Sequence, residues 1–128
     1  MTRALEIDPA EPVACFRLGV IRELEGNLPA ALRLYEQSLG RAPDNAEAYA
    51  KIGAVHRGMN QPVEALRYLE RAEQMGLRSV GLYVDKGVAY AMLGRNAEAR
   101  EAWETALQLD PTPEMAEGIR RNLQILSQ

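Results

Sequence analysis

Apolar positions recur at helical spacing along most of this chain, and the whole pattern repeats when the sequence is shifted by 34 residues. The stretch from Tyr83 to Pro111 overlays two earlier copies of itself. Gly87 falls on Gly53 and Gly19, Ala99 on Ala65 and Ala31, Tyr83 on Tyr49 and Cys15, and Trp103 on Leu69 and Tyr35. The periodicity predicts helix pairs over 12–25 and 29–41, 46–58 and 62–74, and 80–93 and 97–109.

Each column has a physical task. A glycine midway along a helix costs about 0.5–1 kcal/mol relative to alanine, so Gly19, Gly53 and Gly87 need a compensating contact. The small Ala31, Ala65 and Ala99 on the second helices imply a crossing at close backbone approach. Tyr35, Leu69 and Trp103, four residues on, fill the space beside it. Gly26, Asn60 and Gly94 sit where the first helix of each pair must stop, in the left-handed conformation that Gly and Asn tolerate. Pro29 and Pro62 suit the first turn of the next helix, and Pro43 and Pro111 end the second helices, with Pro9 in the same column one period earlier. Gly76-Leu77-Arg78-Ser79 departs from that proline stop, and Gly76 ends its helix instead.

In period and columns the chain resembles the tetratricopeptide repeat, a helix-turn-helix unit of 34 residues. The resemblance implies an all-α fold, a right-handed α-solenoid of three repeats at 12–45, 46–79 and 80–113, forming one domain over 1–128. Residues 1–11 align with the end of a preceding repeat, Ala4 under Ser38, Ala72 and Ala106, as in a piece cut from a longer array or a short helix covering the first repeat's open edge. Residues 114–128 break the code, with Glu117, Arg120 and Arg121 in the columns of Tyr83, Lys86 and Gly87. Met115, Ile119, Leu123 and Leu126 still form one apolar stripe, so the segment reads as a capping helix.

Members of the resembled family line their concave groove with the first helix of each pair. The matching residues are Val13, Phe16, Val20 and Leu24, then Glu47, Ala50, Ala54 and Gly58, then Gly81, Val84, Val88 and Met92. Only Glu47 among them is charged, whereas Arg17, Glu25, Lys51 and Asp85 are expected to face solvent. The groove therefore reads as an apolar trough for an apolar or amphipathic peptide segment, unless its side chains meet one another through tight curvature. Some members clamp acidic chaperone tails. The matching positions here are Phe16, Val20, Lys51, Gly81 and Asp85, of which only Lys51 suits a carboxylate. Lys86 replaces the apolar Leu18 and Ile52 of its column: either its stem packs inward with the ammonium in water, or it joins Lys51 as a charge anchor for a ligand carboxylate.

Composition narrows the function classes. A net charge of −3 and a longest basic run of Arg120-Arg121 argue against nucleic acid as a partner. No apolar run approaches the ~20 residues that span a bilayer, so no membrane insertion is expected. With a single Cys and no apolar leader, the cytoplasm is the expected compartment. Only Lys51 and Lys86 stand beside thirteen arginines, a compositional bias of bacterial character. The single histidine, His56, shares a column with Arg22 and Tyr90 and has no second ligand or base in register, and Cys15 reads as a small core residue. No phosphate loop is present. Neither an enzyme nor a cofactor or metal site is expected. The sequence points to a protein-protein interaction scaffold whose partner is another protein or peptide segment; the alternative is a self-assembly module that forms a homo-oligomer through its open N-terminal half repeat.

Overall fold

Seven helices occupy the described part of the chain, and most of their starts are set by one side chain. Asn27, Asn45, Ser79 and Thr112 each accept a hydrogen bond from the backbone N–H three residues on, satisfying a donor that the helix itself leaves without a partner. The structure, a computed structural model, describes residues 12–127. Its elements are α1 (Pro12–Leu24), α2 (Leu28–Arg41), α3 (Ala46–Gly58), α4 (Pro62–Gln74), α5 (Val80–Met92), α6 (Asn96–Gln108) and α7 (Pro113–Leu126). The first six agree with the predicted helix bounds to within one residue. The reading of residues 1–11 as the end of a preceding repeat lies outside the described residues.

Turns fold each helix pair back on itself. Gly26, Asn60 and Gly94 adopt φ of +81°, +64° and +75°, the left-handed geometry their column implied, and Gly76 does so at +101°. Within each pair, the column glycine lies under a large side chain. A Cβ on Gly19 would stand 2.7 Å from the Tyr35 ring, one on Gly53 2.7 Å from Leu69, and one on Gly87 2.1 Å from the Trp103 indole nitrogen. The same indole N–H donates to the Val84 carbonyl at 3.2 Å, so ring and backbone are joined by a directed bond as well as by contact.

Pairs stack in chain order, α2 on α3, α4 on α5, and α6 on α7, giving an all-α solenoid. Tyr35, Ile52 and Val55 centre one buried cluster, and Leu69, Leu82, Trp103 and Ile119 centre another. Ser38, buried in a column otherwise held by Ala72 and Ala106, donates its hydroxyl to the Pro12 carbonyl at 2.7 Å and ties α2 to the start of α1. On α7, Ala116 and Ile119 are buried, and Leu123 and Leu126 pack against the same cluster. Met115, expected in this stripe, is 40% exposed. The stripe runs 116, 119, 123, 126, so Ala116 takes the inner position and Met115 sits one helical step around on the rim.

Glycine chemistry gives a direct check. Gly87→Ala should lower stability by about 1–3 kcal/mol, because a rigid indole occupies the new methyl's place and overpacking outweighs the gain in helix propensity. Gly118→Ala, where nothing lies within 4 Å, should instead raise stability by up to about 1 kcal/mol. Urea melts of both variants, shifting in opposite directions, check the close approach.

Candidate functional site

The first helices of the three pairs present one face to a shared cavity of about 320 Å³, lined by Glu23, Glu47, Ala50, Lys51, Ala54, Arg57, Leu77, Ser79, Gly81, Leu82 and Asp85. Its floor is small because Ala50, Ala54 and Gly81 contribute little more than backbone. Of the expected groove residues, the structure brings Ala50 and Ala54 together here with Lys51. Phe16 and Val20 lie half-buried against the first core cluster, and Val84 and Val88 against the second. Val13 and Leu24 of α1 and Met92 of α5 do not line the cavity and have 55%, 82% and 39% of their surface exposed.

The centre is more polar than the column pattern implied. Lys51 and Asp85, expected to face solvent, both line the cavity. Arg57 Nε on α3 donates to Asp85 Oδ1 on α5 at 2.9 Å, and the Asp85 side chain is only 18% exposed. Glu23 reaches the same space from α1, accepting from the Tyr35 hydroxyl at 2.7 Å. The cause is geometric: long side chains next to Ala50, Ala54 and Gly81 lean over the low floor, whereas Gly58, expected in the groove, faces Leu28 of α2. Burial pushes the Asp85 carboxyl above its ordinary value, and the nearby Glu23 charge adds to this; Arg57 and Lys51 pull in the other direction without cancelling it. Burial likewise raises the Tyr35 hydroxyl, reinforced by its hydrogen bond to Glu23 and that carboxylate's charge.

Lys86 lies elsewhere. It lines a separate depression with Glu73, Arg78, Tyr83, Tyr90, Glu98, Glu101 and Thr105, between α4 and α6. Its side chain is 12% exposed, and its ammonium is held by Glu73 and sits 5.7 Å from the centre of the Tyr83 ring. The ammonium is thus bound to a carboxylate within the fold rather than released to solvent, and the structure does not bring Lys86 and Lys51 to one site. Tyr83 also donates to Glu73 at 2.8 Å. Burial works against the charged form of Glu73, but the hydrogen bonds from Lys86 and Tyr83 and the charges of Lys86 and Arg78 outweigh it and hold its carboxyl below the ordinary value. His56 stacks on Tyr68 at 5.3 Å and pairs with Gln61 at 2.7 Å, and Cys15 is buried in the core. Sequence reasoning missed Glu23 and Arg57 as groove residues. The signal was there, since Glu23 and Arg57 share one column, three residues beyond Val20 and Ala54.

The geometry defines an α-solenoid with a concave channel. The chain belongs to the tetratricopeptide repeat family, a class of protein-protein interaction scaffold: family models described as tetratricopeptide repeat match residues 14–49 and 80–113. Among curated proteins, kinesin light chain-related protein 1 of Arabidopsis thaliana is 30% identical over 100 residues, covering 71% of this chain and 16% of that protein. The chain spans less than a third of the length of the curated relatives it matches. Among solved structures, the first tetratricopeptide domain of human RPAP3 superimposes with a TM-score of 0.81 at 18% identity, over 94% of this chain and 92% of that one. The first such domain of Spaghetti (RPAP3), bound to the HSP90 peptide SRMEEVD, gives 0.79 at 19% identity, over 95% and 98%.

The Glu73 cluster carries a pH dependence of stability. A carboxyl held below its unfolded value of 4.5 contributes stability that is present above that value and lost as pH falls through its lower folded value. Glu73→Gln should therefore melt lower than the natural chain at neutral pH. The gap should close on acidification below pH 4.5, read by thermal melts across that range.

Proposed function

We propose that this chain is a recognition module that seats an apolar or amphipathic peptide segment in its concave groove, its repeats running 12–45, 46–79 and 80–113 with 114–128 as the capping helix. The observation that supports this is a cavity floored by Ala50, Ala54 and Gly81, beside first helices that leave Val13, Leu24 and Met92 exposed. Large apolar side chains left exposed on the helices that line a concave cavity are a usual mark of a binding surface. The groove residues are Val13, Phe16, Val20, Leu24, Ala50, Ala54, Val84, Val88 and Met92, with Lys51 as the charge beside the floor.

Acidic peptides of the kind held by the Spaghetti domain suit this groove poorly. Glu23, Glu47 and Asp85 face the cavity, and Arg57, one of its two cations, is engaged by Asp85. A micromolar dissociation constant, about −8 kcal/mol, is the expected scale once ordering costs are subtracted.

A second reading is self-association through α1. Ile21 lies in the column of Val55, which is fully buried, yet Ile21 is itself exposed. Light scattering over a concentration series separates the two, since mass that grows with concentration belongs to the assembling form.

Selection of nine-residue peptides from a random display library on the full chain tests the main reading. The recovered peptides should carry bulky apolar residues, and Ala54→Phe, which fills the floor, should weaken them by at least about tenfold while leaving the thermal melt unchanged. Equal affinity for Ala54→Phe in fluorescence anisotropy removes the groove from the function.

A further inference from the structure

The groove has a charge pattern of its own beneath its apolar ends. Five charged side chains from three helices line one cavity: Glu23 of α1, Glu47, Lys51 and Arg57 of α3, and Asp85 of α5. Arg57 and Asp85 neutralise each other at 2.9 Å. What is left over is Glu23 and Glu47 against Lys51. The Glu23 charge also disfavours that of Asp85, and the Arg57 bridge does not remove the effect. The cavity thus carries an excess of negative charge in a partly desolvated place, where an added cation is worth more than on open surface.

We infer that the partner segment presents a basic side chain, arginine or lysine, to the centre of the groove, between Glu23, Glu47 and Asp85, with apolar residues on either side seated at the Val13–Leu24 and Val88–Met92 ends. This rests on the groove reading above and adds the chemistry of the occupant. The small floor makes room for it: Ala50, Ala54 and Gly81 leave a channel of about 320 Å³, deep enough for a long stem to lie flat while its head reaches the carboxylates. Lys51 lines the same cavity and its charge also reaches Asp85, so a cation seated there is held by the carboxylates against the repulsion of Lys51. The Arg57–Asp85 bridge then has a second task. By occupying Arg57 it withdraws the cation that an acidic segment would use, so the pair selects against carboxylates as well as joining α3 to α5.

The test uses the full chain and one peptide recovered from the random nine-residue library. The peptide is made in three forms, with arginine, norleucine or glutamate at its central position, and binding is read by fluorescence anisotropy at low and high salt. The arginine form should bind at least about tenfold more tightly than the norleucine form, and the glutamate form more weakly than either, with the spread shrinking as salt rises. Glu47→Gln should weaken the arginine form alone. Asp85→Asn, which frees Arg57, should reduce the preference for arginine and improve binding of the glutamate form. Equal affinities for all three forms, or a preference for glutamate on the natural chain, overturns this inference while leaving groove binding intact. Peptides insensitive to Ala54→Phe overturn groove binding, and the basic anchor with it.

Discussion

The contact on which the rest depends is a ring or branched side chain laid directly on a helical glycine. Tyr35 over Gly19, Leu69 over Gly53 and Trp103 over Gly87 bring the two helices of each pair closer than any residue with a Cβ would permit. That spacing places the next pair, because α2 and α4 offer their remaining apolar faces to α3 and α5 at a height set by the preceding crossing. A solenoid accumulates such local geometry, each pair touching its neighbours in sequence. The groove is the residue of this arithmetic. Where the first helices line up at a fixed interval and their inner residues are alanine and glycine, a channel is left between them.

Polar groups divide between the two faces in different ways. In the depression between α4 and α6, Glu73, Lys86 and Tyr83 satisfy one another, and the outcome is a carboxylate held more acidic than usual, which is a stabilising arrangement. In the groove the balance has the opposite sign. Asp85 is held less acidic than usual despite its bridge to Arg57, because burial and Glu23 outweigh the attraction. One face of the solenoid uses its charges to hold repeats together, and the other keeps charges at a cost.

The helices and the glycine columns were legible from the 34-residue period, because two local rules recur in all three repeats: a glycine that needs a large side chain laid over it, and a Gly or Asn that fits a left-handed turn. Met115 was misplaced because residues 114–128 depart from the repeat code, so that the packing of α7 on α6 chooses the register. The polar centre of the groove was illegible for another reason. Column patterns assign a side chain to a face by its Cα position, but Lys51, Arg57 and Glu23 carry their charges several bonds away and lean across small neighbours. Lys86 shows the same limit. Its column is a core column, and the partner that makes a lysine tolerable there, Glu73, lies thirteen residues earlier on the preceding helix.

A carboxyl whose folded value is raised above its unfolded one favours the folded state only while protonated, and that contribution is lost as pH rises from the ordinary 3.8 through the higher folded value. Burial thus works against the ionised form of Asp85, and the charges of Arg57 and Lys51 offset only part of that. Asparagine has nearly the same shape and would carry none of that penalty. The column neighbours of Asp85 are Lys51 and Arg17, so nothing in the repeat pattern calls for an acid there. Residues that lower stability and sit in an open channel are the ones a packing account leaves over, and they are commonly held for binding. Glu23 lines the same cavity, where its carboxylate accepts from the hydroxyl of the buried Tyr35. The fold is thus built by its glycines and the large side chains laid on them, and the packing of the repeats does not account for the charged groove residues.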